Sequence, residues 1–368
     1  MSECRLRDRP MLTALTIYSD NTRVVEIRAN GWVPSLIFLE DGKHLLSGGE
    51  DGMIRQWRVE DGTEAGQAMK AIQSSCAWND IALSGDRKWI VSSQDNATVW
   101  NRHTRQRALT VNKDIAGEVV AVDVSPDSTR FATGARDGKA FIWDILNGRR
   151  LVGPLQCDNN PTVVTFSPSG DHIATTAAID SLRIHNAHTG ELLRTVLITS
   201  IHIAWSRDSQ CIFVLSFIGV ITQVCIDTGT ILSEWTVSRG KSDFGSLTLS
   251  SDGGFIASFF GNSLSFWDTS TPGMQLGPVF NCPPEEPVVS VALSLDNKHL
   301  AVSNIDGKIT LYNLTDIIPT SYSGGQSIAQ QAQPGSCVDL QLQFEAFRGE
   351  FRALELRIGT FLHDPSCF

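Results

Sequence analysis

The sequence predicts an all-β fold: a closed ring of seven four-stranded antiparallel blades, with a tail outside the ring. Three observations predict it. A segment of about 42 residues recurs seven times along a chain of 368 residues. Each copy repeats one order of short apolar strand, polar turn, second strand, tight turn and third strand. Five copies close that third strand on an aromatic residue: Trp57, Trp100, Trp143, Trp267 and Tyr312. In the two weaker copies, IDSLRIHNA and IGVITQVCID, His185 and Cys225 are expected in the aromatic's place.

Each element of the repeat has a physical reason. The first strand is apolar and ends in a turn, as in VVAVDVSPDS, TVVTFSPSGD, IHIAWSRDS, LTLSSDGG and VVSVALSLDN. The second strand is short: RFATGA, HIATTA, FIASFF, HLAVSN. The tight turn carries Asp51-Gly52, Asp137-Gly138 or Asp306-Gly307, where Gly supplies the positive φ and Asp bonds its own backbone. The third strand ends in the aromatic residue, whose large apolar surface would fill the space between neighbouring blades.

These features resemble the WD-repeat family over roughly residues 23 to 316. The family pattern, a turn Asp followed by a strand closing in Trp-Asp, is matched outright by Trp143-Asp144 and Trp267-Asp268. Trp57-Arg58, Trp100-Asn101 and Tyr312-Asn313 keep the aromatic and lose the acid, and His185 and Cys225 depart from the pattern. The Gly-His dipeptide that opens family repeats is missing from every copy, so the His-Ser-Asp-Trp network of such blades is incomplete here. The segments RRLVGPL and MQLGPVF are also similar to repeats attached to fungal nucleotide-binding signalling proteins, without the GxxxxGK phosphate loop.

The resemblance implies a seven-bladed β-propeller whose last blade borrows its outer strand from the amino end. TRVVEIRAN (Thr22 to Asn30) is the expected strand, because it alternates Val24, Glu26 and Arg28 against Val25 and Ile27. Pairing it with Lys308–Asn313 leaves no open edge between first and last blades. The expected organisation is an N-terminal extension (1–21), the propeller (22–316), a flexible linker (317–337) and a C-terminal tail (338–368). The linker assignment rests on SGGQSIAQQAQPGS, rich in Gly, Ser and Gln. In the tail, Leu340, Phe344, Phe347, Phe351, Leu354, Ile358 and Phe361 form a one-sided stripe if helical, while VDLQLQF and ALELRIG also alternate as strands do.

A formal net charge of −10 argues against a surface that tracks nucleic-acid phosphates. The eight cysteines form neither a CxxC knuckle nor a compact disulfide framework; Cys211 and Cys225 are the nearest pair along the chain. They are expected to be buried free thiols in a reducing compartment. The amino end, MSECRLRDRPMLTAL, lacks the apolar stretch of a signal peptide. The longest apolar run, Ile212 to Ile226, is interrupted by Ser216, Gly219, Thr222 and Gln223, and two short buried strands account for it better than a bilayer span. A cytoplasmic protein is expected, with the nucleus as the alternative, and no membrane partner.

Catalytic signatures are sparse. No HExxH, GxSxG or GxGxxG string occurs, and His185 with His188 belongs to a blade and its turn rather than to a helix that would hold a metal. Glu285 and Glu286, between prolines, are expected to be solvated. No cofactor is implied, and an enzyme is not expected.

Binding remains, and family blades indicate where. The residue before the turn Asp and the first residue of the inner strand face one rim. The first rule selects Glu50, Gln94, Arg136, Ile179 and Ile305; the second selects Val33, Trp78, Val119, Phe244 and Val288. Aromatics and Arg are favoured in binding hot spots, which singles out Trp78, Phe244 and Arg136, with Glu50 and Gln94 beside them. The expected function is a non-catalytic, monomeric scaffold for other proteins or peptide segments. The alternatives are a propeller enzyme, such as a hydrolase with a central metal, and a sensor module of a signalling complex.

Overall fold

The computed structural model describes residues 23–70, 79–93, 95–111, 115–157, 161–177, 181–238, 242, 244–281, 287–315 and 318. They form seven four-stranded antiparallel sheets arranged as blades. The first blade consists of Ser35–Phe38, His44–Gly48, Met53–Arg58 and the two-residue strand Met69–Lys70. The inner strands of the next six are Ile81–Leu83, Val119–Val124, Pro161–Phe166, His202–Trp205, Gly245–Leu249 and Val288–Leu293. These strands pack against one another round the ring, and the first blade's inner strand meets that of the seventh.

Closure follows the borrowed-strand expectation. Arg23–Arg28 pairs antiparallel with Lys308–Asn313 and completes blade seven, with Glu26 opposite Thr310 and the Lys308 ammonium 3.3 Å from the Glu26 carboxylate. The junction is tight. Gly307 (φ 77°) turns so close to the backbone that a Cβ there would stand 2.3 Å from the Gly31 carbonyl oxygen, so only glycine fits. The Ser303 hydroxyl then donates to the Val33 carbonyl at 2.7 Å, tying blade seven to blade one.

The slot residues sit between blades. Trp143 packs with Val91 and Val99 of the preceding blade, Trp57 with Ile309 and Leu311 across the closure, and Trp100 with Leu46 and Ile54. Their indole N–H groups donate within the blade: Trp57 to Ser47 (2.8 Å), Trp100 to Ser92 (3.0 Å), Trp143 to Thr133 (2.9 Å) and Trp267 to Ser258 (2.9 Å). The Trp-to-hydroxyl half of the family network therefore survives the loss of its histidine.

Blade five corrects the expected register. Ile212 of its second strand pairs with Val224, as Phe131 pairs with Trp143 in blade three. Val224, fully buried with Trp205 and Leu182, fills the slot. Cys225 stands one residue further on, where blade three has Asp144. The expectation of buried thiols also changes: Cys157 is buried, whereas Cys211 and Cys225 are half-buried, and all three are free. The apolar run around them is two strands, Cys211–Leu215 and Val220–Cys225. Among the described residues no helix is long and apolar enough to cross a membrane. The N-terminal extension, the linker apart from Ile318, and the tail lie outside the described residues.

Candidate functional rim

An inner strand has no further strand on its axis side, so part of its backbone needs partners from elsewhere. Here the inner strands of blades one, two, three and six reach forward to the next blade. The Ile81 N–H donates to Ser35 Oγ (3.3 Å), Val122 N–H to Asp80 Oδ2 (3.0 Å), and Val291 N–H to Ser246 Oγ (3.4 Å). Asp123 Oδ2 accepts both the Phe166 N–H (2.7 Å) and the Thr165 hydroxyl (2.9 Å). Burial pushes the carboxyls of Asp80 and Asp123 up to about 6, against the pull of these donors. The charge of Asp123 raises Asp80 further.

At one end of the ring this arrangement presents a rim. In blades one, three and seven the residue preceding the tight turn is fixed beside the start of its own inner strand by a backbone bond. Glu50 N–H donates to the Trp32 carbonyl (2.9 Å), Arg136 N–H to that of Glu118 (2.9 Å), and Ile305 N–H to that of Pro287 (3.1 Å). Glu50 is exposed and its carboxylate lies over Gly31, so close that a Cβ on Gly31 would overlap it. Asp51 behind it pairs with Arg55 through two hydrogen bonds of 3.1 and 2.5 Å.

Phe244 is half-buried just before the inner strand of blade six, its backbone clasped by the Ser242 hydroxyl. Its ring meets Trp32 of blade one edge-on, with centroids 6.5 Å apart and planes at 87°. Blade seven lies between those two blades in the ring, so the aromatic pair spans it on the rim side. Sequence reasoning missed Trp32, because the inner-strand rule selected its neighbour Val33, which is buried in the closure core. The available signal was an aromatic between Gly31 and Pro34 at a strand start.

The structure brings Phe244 and Glu50 together through Trp32. Arg136 stands two blades from Glu50, in an ion pair of 2.7 Å with Glu118, so its charge is matched within its own blade. Trp78, Gln94 and Ile179 lie outside the described residues. Val119 and Val288 are buried and serve the core rather than the rim, while Ile305 is exposed.

Neither His185 nor His188 faces a shared site. His185 fills the slot of blade four, 3% exposed, where burial lowers it to about 4 and keeps it neutral. His188 sits in the following turn, 3.4 Å from Asp171 and 3.3 Å from the Arg130 guanidinium. Among the described residues no group of three or more His, Cys, Asp or Glu side chains could hold a metal ion.

A family model described as "WD domain, G-beta repeat" matches residues 21–58 and 109–144, the segments that close on Trp57 and Trp143. Protein groucho of Drosophila melanogaster is 24% identical over 294 residues, covering 78% of this chain and 33% of its own length. Apoptotic protease-activating factor 1 of Rattus norvegicus is 28% identical over 220 residues, covering 56% of this chain and 16% of its own. The chain thus spans a third or less of the relatives it matches. With the repeat grammar, the Trp-to-hydroxyl bonds and the borrowed strand all present, this chain is a seven-bladed β-propeller that carries WD repeats at residues 21–58 and 109–144 and is similar to WD-repeat proteins.

Proposed function

We propose that the chain is a non-catalytic scaffold that binds another protein, or an extended segment of one, on the rim around Trp32, Phe244 and Glu50. The observation that carries this reading is the edge-on pair of Trp32 and Phe244, two large rings that stay partly accessible where two non-adjacent blades meet. An exposed aromatic offers much contact area at small entropic cost, and such residues dominate binding energies. Glu50 beside them favours a partner segment of mixed or basic charge. The repeat rule adds Arg136, Trp78 and Gln94 to the proposed surface, Arg136 as one half of an ion pair. The name of one relative, a protease-activating factor, describes a protein that acts on another protein, in keeping with a protein partner here.

The test is affinity capture from source cells with wild-type chain, Trp32→Ala, Phe244→Ala, and Trp78→Ala combined with Arg136→Ala. The two single variants should each weaken capture of the main partner more than about tenfold, about 1.4 kcal/mol, at unchanged thermal melting. Undiminished capture by both moves the surface elsewhere. Loss in the double variant alone confines it to blades two and three. Stoichiometric divalent metal in the purified protein would favour the enzyme alternative instead. The cytoplasm is the proposed location, with the nucleus as the alternative, and cell fractionation separates them.

A further inference from the structure

In five blades the residue after the slot is Asn101, Asp144, Asn186, Asp268 or Asn313, and its side-chain oxygen caps the turn that follows. Asp144 Oδ1 accepts the N–H groups of Leu146 (2.9 Å) and Asn147 (3.1 Å), the residues two and three further on. Asn186 accepts those of His188 (2.9 Å) and Thr189 (3.0 Å), and Asn101 those of His103 (3.1 Å) and Thr104 (2.9 Å). Blade five makes the same turn with a cysteine in that place. Cys225 N–H donates to the Thr230 carbonyl and Gly229 N–H to the Cys225 carbonyl, both at 2.9 Å. Asp144 makes the equivalent pair with Arg149 and Gly148, also at 2.9 Å. A thiol thus occupies a cradle that in five other blades is filled by a carboxylate or amide oxygen.

A second cysteine faces it. Cys211 is the direct cross-strand partner of Cys225. The neighbouring pair exchanges a ladder bond, Ile226 N–H to Gln210 carbonyl at 2.9 Å, while Cys211 turns its carbonyl to Ser206 N–H and Cys225 its N–H to Thr230. Bonded and non-bonded pairs alternate in an antiparallel ladder, so Cys211 and Cys225 form a non-bonded pair. In such a pair the Cα atoms stand about 4.5 Å apart, within the range that a disulfide spans. Both thiols are half-buried and free.

We propose that Cys225 is a peroxide-reactive thiolate site, held in the acceptor cradle of its turn, and that Cys211 is its resolving thiol. The Cys225 thiolate attacks one oxygen of hydrogen peroxide. An S–O bond forms, the O–O bond breaks, and the departing hydroxide takes a proton to leave as water. The Cys211 sulfur then attacks the sulfenic sulfur; the S–S bond forms, the S–OH bond breaks, and the second water leaves with the Cys211 proton. Two thiols lose two electrons and one peroxide is reduced to two waters. The order of events follows from the surroundings. The Thr228 hydroxyl, opposed by burial and helped by the N–H groups of Thr228 and Asp227, holds the Cys225 thiol below its ordinary range. Burial pushes the Cys211 thiol up to about 11. The pair lies at the turn between third and outer strands of blade five, away from the tight turns that carry the rim.

The test uses the reduced full-length chain, hydrogen peroxide as the oxidant, thiol blocking, and peptide mass spectrometry. The expected product is a cross-link between the peptides carrying Cys211 and Cys225, reversed by dithiothreitol. Cys211→Ser should lose the cross-link and accumulate a dimedone-reactive sulfenic acid at Cys225, while Cys225→Ser should lose both. If a serine variant fails to fold, competitive alkylation of the native wild-type chain decides alone, and Cys225 should label first among the eight cysteines. Labelling of Cys225 no faster than the other thiols, or a disulfide formed elsewhere in preference, overturns the assignment.

Discussion

The carboxylate of Asp123 accepts a 2.7 Å hydrogen bond from the Phe166 N–H, joining the inner strands of blades three and four through one side chain. Burial raises that carboxyl from 3.8 to about 6. A raised acid stabilises the fold below its unfolded value, and that contribution is lost as pH rises from about 4 through 6. Asp123→Asn keeps an acceptor for Phe166 and removes the titration. Its melting temperature should exceed wild type at pH 7.5, by no more than about 3 kcal/mol in stability, and the difference should vanish near pH 4. The buried His202 and His185, both lowered to about 4, act in the opposite direction, so the comparison is variant against wild type at each pH. A constant difference from pH 4 to 7.5 would contradict the assignment.

The slot bonds predict unequal costs for one substitution in two blades. Thr133→Val strands the indole N–H of Trp143 in a buried site and should cost about 1–3 kcal/mol in urea unfolding. Thr175→Val, at the same place in blade four, removes a buried hydroxyl that makes no hydrogen bond to the slot residue His185. It should cost measurably less, and equal costs would show that the indole bond contributes nothing.

Blades four and five should also open more readily. His185 and Val224 bury less apolar area than the tryptophans of blades one to three and six, and large-to-small changes in such cores cost about 3–5 kcal/mol before neighbours repack. Native-state amide exchange should be faster across residues 162–226 than across 119–144. Uniform protection would reject the idea.

Removing residues 1–30 takes away Arg23–Arg28 and exposes the edge of Lys308–Asn313. The truncated chain should associate or aggregate, read by light scattering, because an unpaired strand edge recruits others. A monomeric truncation with unchanged melting would mean that the strand contributes nothing to closure.

Much of this architecture was legible in the chain. The turn pairs Asp51-Gly52 and Asp137-Gly138, and the alternation in RVVEIR, are local features, and local features predict strands and hairpins well. The slot of blade five was misplaced by one residue because spacing counts positions, whereas the register is set by pairing of Ile212 with Val224. The rim was legible only in part. Trp32 was hidden because its partner Phe244 is distant in sequence and meets it only when the ring closes. The pairing of Arg136 with Glu118 depends on side-chain directions that strand grammar does not encode. Asp80 and Asp123 look like any other acids until the next blade's N–H groups are seen to point at them.

The borrowed strand has a consequence for how the protein is made. Arg23–Arg28 emerges before any blade, and its partner Lys308–Asn313 after all of them. At about 5–20 residues per second, the early strand waits roughly 15–60 s for its mate. During that time six blades can form while the ring stays open, with a β-edge exposed at each end. Length adds little to the entropic cost of the final meeting, since loop closure grows only logarithmically. The hazard is kinetic: two neighbouring nascent chains can exchange strands before either one closes. Crowded synthesis on one messenger therefore favours swapped dimers, and a holdase that covers the first thirty residues would suppress them.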